Sequence, residues 1–109
     1  MTLEQLIYDQ FPFVQCPLEC GVGFHELIYR MCVEITELYE DNIDKISILE
    51  IKEKFGGLRV TPSTSNKELD DIIEEYEQLS KSTCEICGAE GKLIKDGYWI
   101  KVRCEECSI

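Results

Sequence analysis

Basic residues are scarce in this chain: 11 Lys and Arg stand against 22 Asp and Glu, for a net charge of −11. Such a surface repels nucleic acid and anionic membranes over its bulk, so neither direct nucleic-acid contact nor membrane association is expected. Long apolar runs are missing too, and no stretch approaches the ~20 residues of a spanning helix. The N-terminal segment MTLEQLIYDQFPF has no basic region and no extended apolar core, which excludes a secretory signal. Histidine occurs once, as His25, with no serine or cysteine nucleophile placed beside it. No catalytic set emerges, and the chain reads as a binding protein rather than an enzyme. Low-complexity tracts and internal repeats are absent, two CxxC pairs excepted.

What the chain does have is cysteine. There are seven in 109 residues, and an odd number leaves one over from any purely disulfide-bonded scheme. Cys84-x-x-Cys87 and Cys104-x-x-Cys107 are separated by 16 residues. This spacing places two metal knuckles at the ends of a hairpin. Four thiolates satisfy the tetrahedral preference of a structural Zn²⁺ and leave no open position for water or substrate. The alternatives are two disulfides, which conflict with a reducing cytoplasm, or four free thiols. Of the remaining three, Cys16-Pro-Leu-Glu-Cys20 offers half of a second metal site, with His25 as a third ligand. The plainer reading makes Cys16, Cys20 and Cys32 small buried side chains.

Punctuation and periodicity place these motifs in an α+β fold, with helices on a small antiparallel sheet and a C-terminal zinc ribbon. Residues 1–80 would form the body and residues 81–109 the ribbon, packed together as one unit. Thr2 and Gln5 form a capping box for a first helix with Leu3, Leu6, Ile7 and Phe11 on its apolar stripe, stopped by Pro12. Phe13 to Gly23 reads as a loop, broken by Pro17, Gly21 and Gly23. A longer helix spans about Phe24 to Asp41, with Phe24, Leu27, Ile28, Met31, Ile35, Leu38 and Tyr39 on one stripe. Lys45 to Phe55 reads as a strand, Gly56-Gly57 as a two-residue turn and Leu58 to Thr61 as the returning strand. Ser65 and Glu68 predict a second capping box, for a helix that buries Leu69, Ile72, Ile73, Tyr76 and Leu79. A last hairpin pairs Lys92–Lys95 with Tyr98–Arg103 around Asp96-Gly97.

The segment KEKFGGLR stands out in so acidic a chain. A Gly-Gly loop pairs Phe55 with Leu58, Lys54 with Arg59 and Lys52 with Thr61, so Lys52, Lys54 and Arg59 share one face. Like charges directly opposite each other destabilise a sheet, and an anionic partner would relieve them. Backbone N–H groups at Gly56 and Gly57 add donors, and Trp99 either offers a surface on which a planar ligand could stack or simply covers the zinc module. Two readings stand side by side. One is a ligand site for an anionic small molecule such as a nucleotide; the other is a solvated tip whose lysines pair with Glu50, Glu53 or helix carboxylates. The acidic helices suggest a further partner, a basic host protein whose face they would mask. Homo-oligomerisation is open.

The combination PLECGVGF, KEKFGGLR, CEICGAEGK and YWIKVRC resembles a family of small proteins of bacterial, prophage and phage genomes, over roughly residues 17–107. The resemblance brings no established activity with it. It implies a phage-borne protein in the cytoplasm of a bacterial host cell, acting against host defence by sequestering a nucleotide signal or masking a host protein. Three positions depart from the family pattern. Phe24 stands where tryptophan is common, Val60 where an aromatic follows the arginine, and Cys107 where histidine often closes the metal site.

Overall fold

The computed structural model describes residues 1–108; Ile109, the last residue of the expected ribbon, lies outside the described residues. The fold is α+β. Helix α1 spans Leu3–Gln10, with the Thr2/Gln5 capping box formed as expected. Helix α2 spans His25–Tyr39 and α3 spans Lys67–Ser80. They enclose a core in which Ile7, Phe24, Ile28, Met31, Ile35, Ile48, Ile51, Leu58 and Leu69 are almost fully buried. Each such side chain contributes about 1.5–3 kcal/mol relative to exposure.

Helix boundaries follow local chemistry. A 3₁₀ turn at Val22–Phe24 precedes α2, so Phe24 enters the core just before the helix proper. Glu40, at φ 48°, caps α2, which ends at Tyr39, two residues before the expected Asp41. Asn66, not Ser65, caps α3: its side chain accepts the Leu69 N–H at 2.9 Å. Ser65 instead donates to Asp70 at 2.6 Å.

The body sheet is mixed, not purely antiparallel. Strand β1, Leu18–Glu19, lies within the segment expected to be a loop. It runs parallel to β2, Ile48–Lys54, pairing Leu18 with Ile51 and Glu19 with Lys52. Strand β3, Gly57–Pro62, returns antiparallel to β2. The turn between them is Phe55-Gly56 rather than Gly56-Gly57. Both residues take positive φ, 53° and 83°, as the tight hairpin turns require. Lys52 therefore faces Arg59, and Glu53 faces Leu58. Every partner moves by two residues from expectation, so Lys52, Lys54 and Arg59 still share a face. Phe55 does not face the core; it sits in the turn, 65% exposed.

Strand β3 is an edge strand, and its outward N–H groups are answered by α3. Leu58 N–H donates to Ser80 Oγ at 2.8 Å, and Val60 N–H to Glu77 Oε2 at 3.0 Å. Two side chains on one helix flank thus close an edge that would otherwise template pairing with another chain.

The C-terminal hairpin consists of β4, Lys92–Asp96, and β5, Trp99–Arg103. Asp96 pairs with Trp99, so the turn is Gly97-Tyr98, one residue later than expected. The hairpin and its first knuckle rest directly on the body. Gly23 N–H donates to Glu85 O at 2.8 Å. A Cβ at Gly23 would stand 2.0 Å from Cys84 O, and one at Gly21 would stand 2.1 Å from Glu85 O. Backbone meets backbone here, and only glycine leaves the room.

Gly23→Ala should therefore cost about 3 kcal/mol, the upper end of overpacking, and lower the melting temperature by about 10 °C or more. Gly97→Ala, where nothing lies within 4 Å at φ 64°, should lose only the ~1 kcal/mol of left-handed strain. Thermal melts of the two variants beside the parent check the contrast.

Candidate metal centre and basic hollow

The first knuckle is built by backbone hydrogen bonds. Gly88 N–H donates to Cys84 O at 2.9 Å and Cys84 N–H to Ala89 O at 2.7 Å, with Gly88 at φ 83° making the turn. Glu85 N–H donates to Val102 O at 3.0 Å and ties the knuckle to β5. The second knuckle closes with Ser108 N–H on Cys104 O at 3.0 Å and Cys107 N–H on Cys104 Sγ at 3.4 Å.

These turns bring all four sulfurs within 4.8 Å of one another. The Cys87 and Cys104 sulfurs are 3.6 Å apart, far beyond the ~2.05 Å of a disulfide. Tetrahedral Zn–S bonds of ~2.3 Å put sulfurs about 3.8 Å apart, so the donor set fits a metal ion of that size and softness. Charge points the same way. Burial pushes the Cys84 thiol up, yet backbone hydrogen bonds from Cys104, Cys87 and Ile86 bring it down to about 6. Cys107 is pushed up to about 12 by its hydrogen bond with Cys104, by burial and by Cys84. Four thiols this close do not all ionise unaided; a dication removes the conflict.

Buried Glu85, between the first two cysteines, organises the ribbon's cations. Its Oε1 accepts from Arg103 Nε at 3.1 Å, and its Oε2 lies 4.0 Å from Lys101 Nζ. Arg103 also stacks over the Trp99 ring, 5.1 Å from its centroid. Lys101 reaches across to the body and meets Glu53 Oε1 at 2.7 Å. The other Glu53 oxygen accepts the Gly56 N–H at 2.8 Å.

The second candidate metal site does not assemble. Among the described residues, the four ribbon cysteines are the only such group of metal-binding side chains. Cys32 is fully buried in the core, with Cys16 and Cys20 half-buried against it. Burial pushes the thiols of Cys20 and Cys32 to about 12, which keeps them neutral. His25 is buried too, and burial lowers its pKa.

The basic face divides into two parts. Lys52 pairs with Glu50 at 3.4 Å and stands in register with Glu19. Lys54 and Arg59 instead line a hollow of about 220 Å³ with Phe55, Gly57, Leu58, Glu77, Gln78 and Lys81. Lys54 lies over the Phe55 ring, 5.6 Å from its centroid. Among the described residues, Lys54, Arg59 and Lys81 form no ion pair. Gly57 lines the hollow, whereas Gly56 does not, and its N–H is engaged by Glu53. Trp99 stays with Arg103, away from the hollow's lining. Sequence reasoning missed Lys81. It lies in a polar linker whose placement depends on the α3–β3 packing, and no periodicity signals that.

No protein-family model, curated protein or solved structure matches the chain. Among the described residues no helix is long and apolar enough to cross a membrane.

Two outcomes follow. Elemental analysis should find about one metal ion per chain, and Cys104→Ser should lose it and open Lys92–Arg103 to trypsin, because metal binding supplies folding energy. The second concerns pH. Partial burial raises the Glu53 pKa, but the Lys101 hydrogen bond, the Gly56 N–H and the Lys101 charge outweigh it and hold it below the ordinary value. A carboxyl with a depressed folded-state pKa stabilises above its unfolded value and loses that stability as pH falls through the folded one. The melting-temperature gap between the parent and Glu53→Gln should thus be widest near neutral pH and narrow as pH falls into the carboxylate range, compared over the pH values at which both retain metal.

Proposed function

We propose that this chain is a non-enzymatic binding protein, held in shape by zinc at Cys84, Cys87, Cys104 and Cys107. Its hollow takes the phosphate end of a small anionic ligand such as a nucleotide. The observation that carries the reading is the set of three cations, Lys54, Arg59 and Lys81, around one hollow, none of them in an ion pair among the described residues, in a chain of net charge −11.

Two like charges about 6 Å apart repel by roughly 1 kcal/mol in water and about 3 kcal/mol at an effective dielectric of 20. An acidic chain has carboxylates enough to neutralise such a cluster. Glu53, next to Lys54 in β2, is instead held by Lys101 and Gly56. Glu77 lines the hollow, but one of its oxygens is engaged by the β3 edge. A phosphate would relieve the repulsion, and Arg59 is the cation able to hold it through two parallel hydrogen bonds.

Size narrows the ligand. At about 220 Å³ the hollow is smaller than the ~300–1,000 Å³ cavities that enclose whole drug-sized molecules. It suits a phosphate group, with the planar base lying outward over the exposed Phe55 ring. A four-thiolate metal has no open coordination position, so its part is structural. In a phage-borne setting such a protein would sequester a nucleotide signal.

A second reading is favoured by the outer face of α3, where Glu68, Asp70, Asp71, Glu74 and Glu75 are all exposed. That face would mask a basic surface of a partner protein. Thermal melts with inorganic phosphate and adenosine monophosphate (AMP) separate the two. The ligand reading expects both anions to raise the melting temperature, and Arg59→Gln to abolish the shift while leaving the unliganded protein as stable or more stable. If neither anion shifts the melt and Arg59→Gln destabilises the fold, the hairpin charges are structural and the acidic-face reading replaces this one.

A further inference from the structure

The metal-binding ribbon touches the hollow's foundations by two routes. The first is electrostatic. From the knuckle residue Glu85 the chain of contacts passes to Lys101 Nζ at 4.0 Å, from Lys101 to Glu53 at 2.7 Å, and from Glu53 to the Gly56 N–H at 2.8 Å. Gly56 and Phe55 are the two positive-φ residues of the hairpin turn. That turn sets where Lys54, Phe55 and Gly57 stand in the hollow's wall. Phe55 would adopt this conformation only at a cost of about 1–2 kcal/mol without support. The Glu53 carboxylate supplies support by accepting the turn's N–H, and Lys101 holds that carboxylate in place.

The second route is steric and runs through backbone. A Cβ at Gly56 would meet Leu93 Cδ1 at 2.9 Å and the Lys101 backbone at 3.4 Å, so the turn is seated on the ribbon hairpin. On the far wall, Gly91 N–H donates to Ser82 O at 2.8 Å. The loop between the first knuckle and β4 thereby anchors the linker that carries Lys81. Thr83 N–H donates to Ser80 O at 3.2 Å, and Ser80 Oγ accepts the Leu58 N–H. Both walls of the hollow are therefore fastened to the ribbon, and the ribbon is closed by its four cysteines.

We infer that Lys101 and Glu53 are positioning residues of the hollow, so that closure of the four-cysteine site sets the turn on which anion binding depends. This inference rests on the anion reading of the hollow. Metal occupancy and anion affinity then become reciprocal: whatever factor closure adds to anion binding, the anion adds to metal retention.

Glu53→Gln gives a test in which positioning and simple charge predict opposite signs. Removing a negative charge near three cations strengthens anion binding if only Coulomb attraction matters. Losing the Lys101 link weakens it if Glu53 holds the turn. The measurement is the dissociation constant of AMP on the zinc-loaded full chain by titration calorimetry, with zinc content checked in each sample. A parallel readout is hydrogen exchange at the Gly56 amide. We expect Glu53→Gln and Lys101→Met each to weaken AMP binding by about five-fold or more, to speed Gly56 exchange and to keep about one zinc per chain. Lys101→Arg should restore both values. Equal or tighter AMP binding by Glu53→Gln, or a Gly56 amide unchanged in both variants, overturns the inference. If the parent binds neither AMP nor inorganic phosphate, the anion reading itself fails, and Gly56 exchange alone decides whether ribbon and turn are coupled.

Discussion

The contact on which the rest depends is backbone against backbone: the Gly21–Gly23 segment lying on the first cysteine knuckle. A Cβ at either glycine would stand within about 2 Å of a knuckle carbonyl oxygen. Side chains are excluded from this junction, so neither partner can shift without losing the Gly23 N–H to Glu85 O bond. The cost is the conformational freedom of two glycines in the unfolded chain. The return is a fixed seat for Cys84 and Glu85. From Cys84 follows the four-sulfur cluster; from Glu85 follow Arg103, Lys101 and, through Lys101, Glu53 on the body. A hairpin of five-residue strands has little core of its own. Here the four-cysteine cluster closes one end and the body supports the other.

Charge placement obeys the same geometry. Of the eleven cations, Lys52, Lys67, Lys101 and Arg103 meet a carboxylate among the described residues. Lys54, Arg59 and Lys81 do not, although Glu77 lines their hollow. The difference comes from which acids are already occupied. Glu53 answers the ribbon and the hairpin turn, while Glu77 answers the exposed N–H of an edge strand. Edge protection and ribbon docking thus engage both acids beside the hollow, and its three cations stay without an ion pair among the described residues.

Much of this was legible in the sequence where one local signal sufficed. The paired CxxC spacing located all four sulfurs, the Thr2/Gln5 box began α1, and helical periodicity identified Phe24, Ile28, Met31 and Ile35 as core. What escaped depended on tertiary contact. Strand β1 is two residues long and carries no alternation; it exists because β2 offers an edge. Gly21 and Gly23 read as loop breakers, whereas each is a place where another backbone arrives. The hairpin turn was misplaced by one residue because Gly-Gly satisfies positive φ on its own, while Phe55-Gly56 needs the Glu53 carboxylate and a seat on Leu93. Asn66 and Ser65 are both good caps, and the competition was decided by which side chain reached the Leu69 N–H. Lys81 entered the hollow only once α3 lay against β3.

The central claim is that metal closure of the knuckles holds the ribbon's backbone against the Gly21–Gly23 segment. Amide hydrogen exchange at Gly23, whose N–H bonds to Glu85 O, tests it most directly. With metal bound, Gly23 should exchange as slowly as core amides of α2. With metal removed by a chelator, Gly23 should exchange much faster while the middle of α2 remains protected. A Gly23 amide equally protected with and without metal would contradict the account.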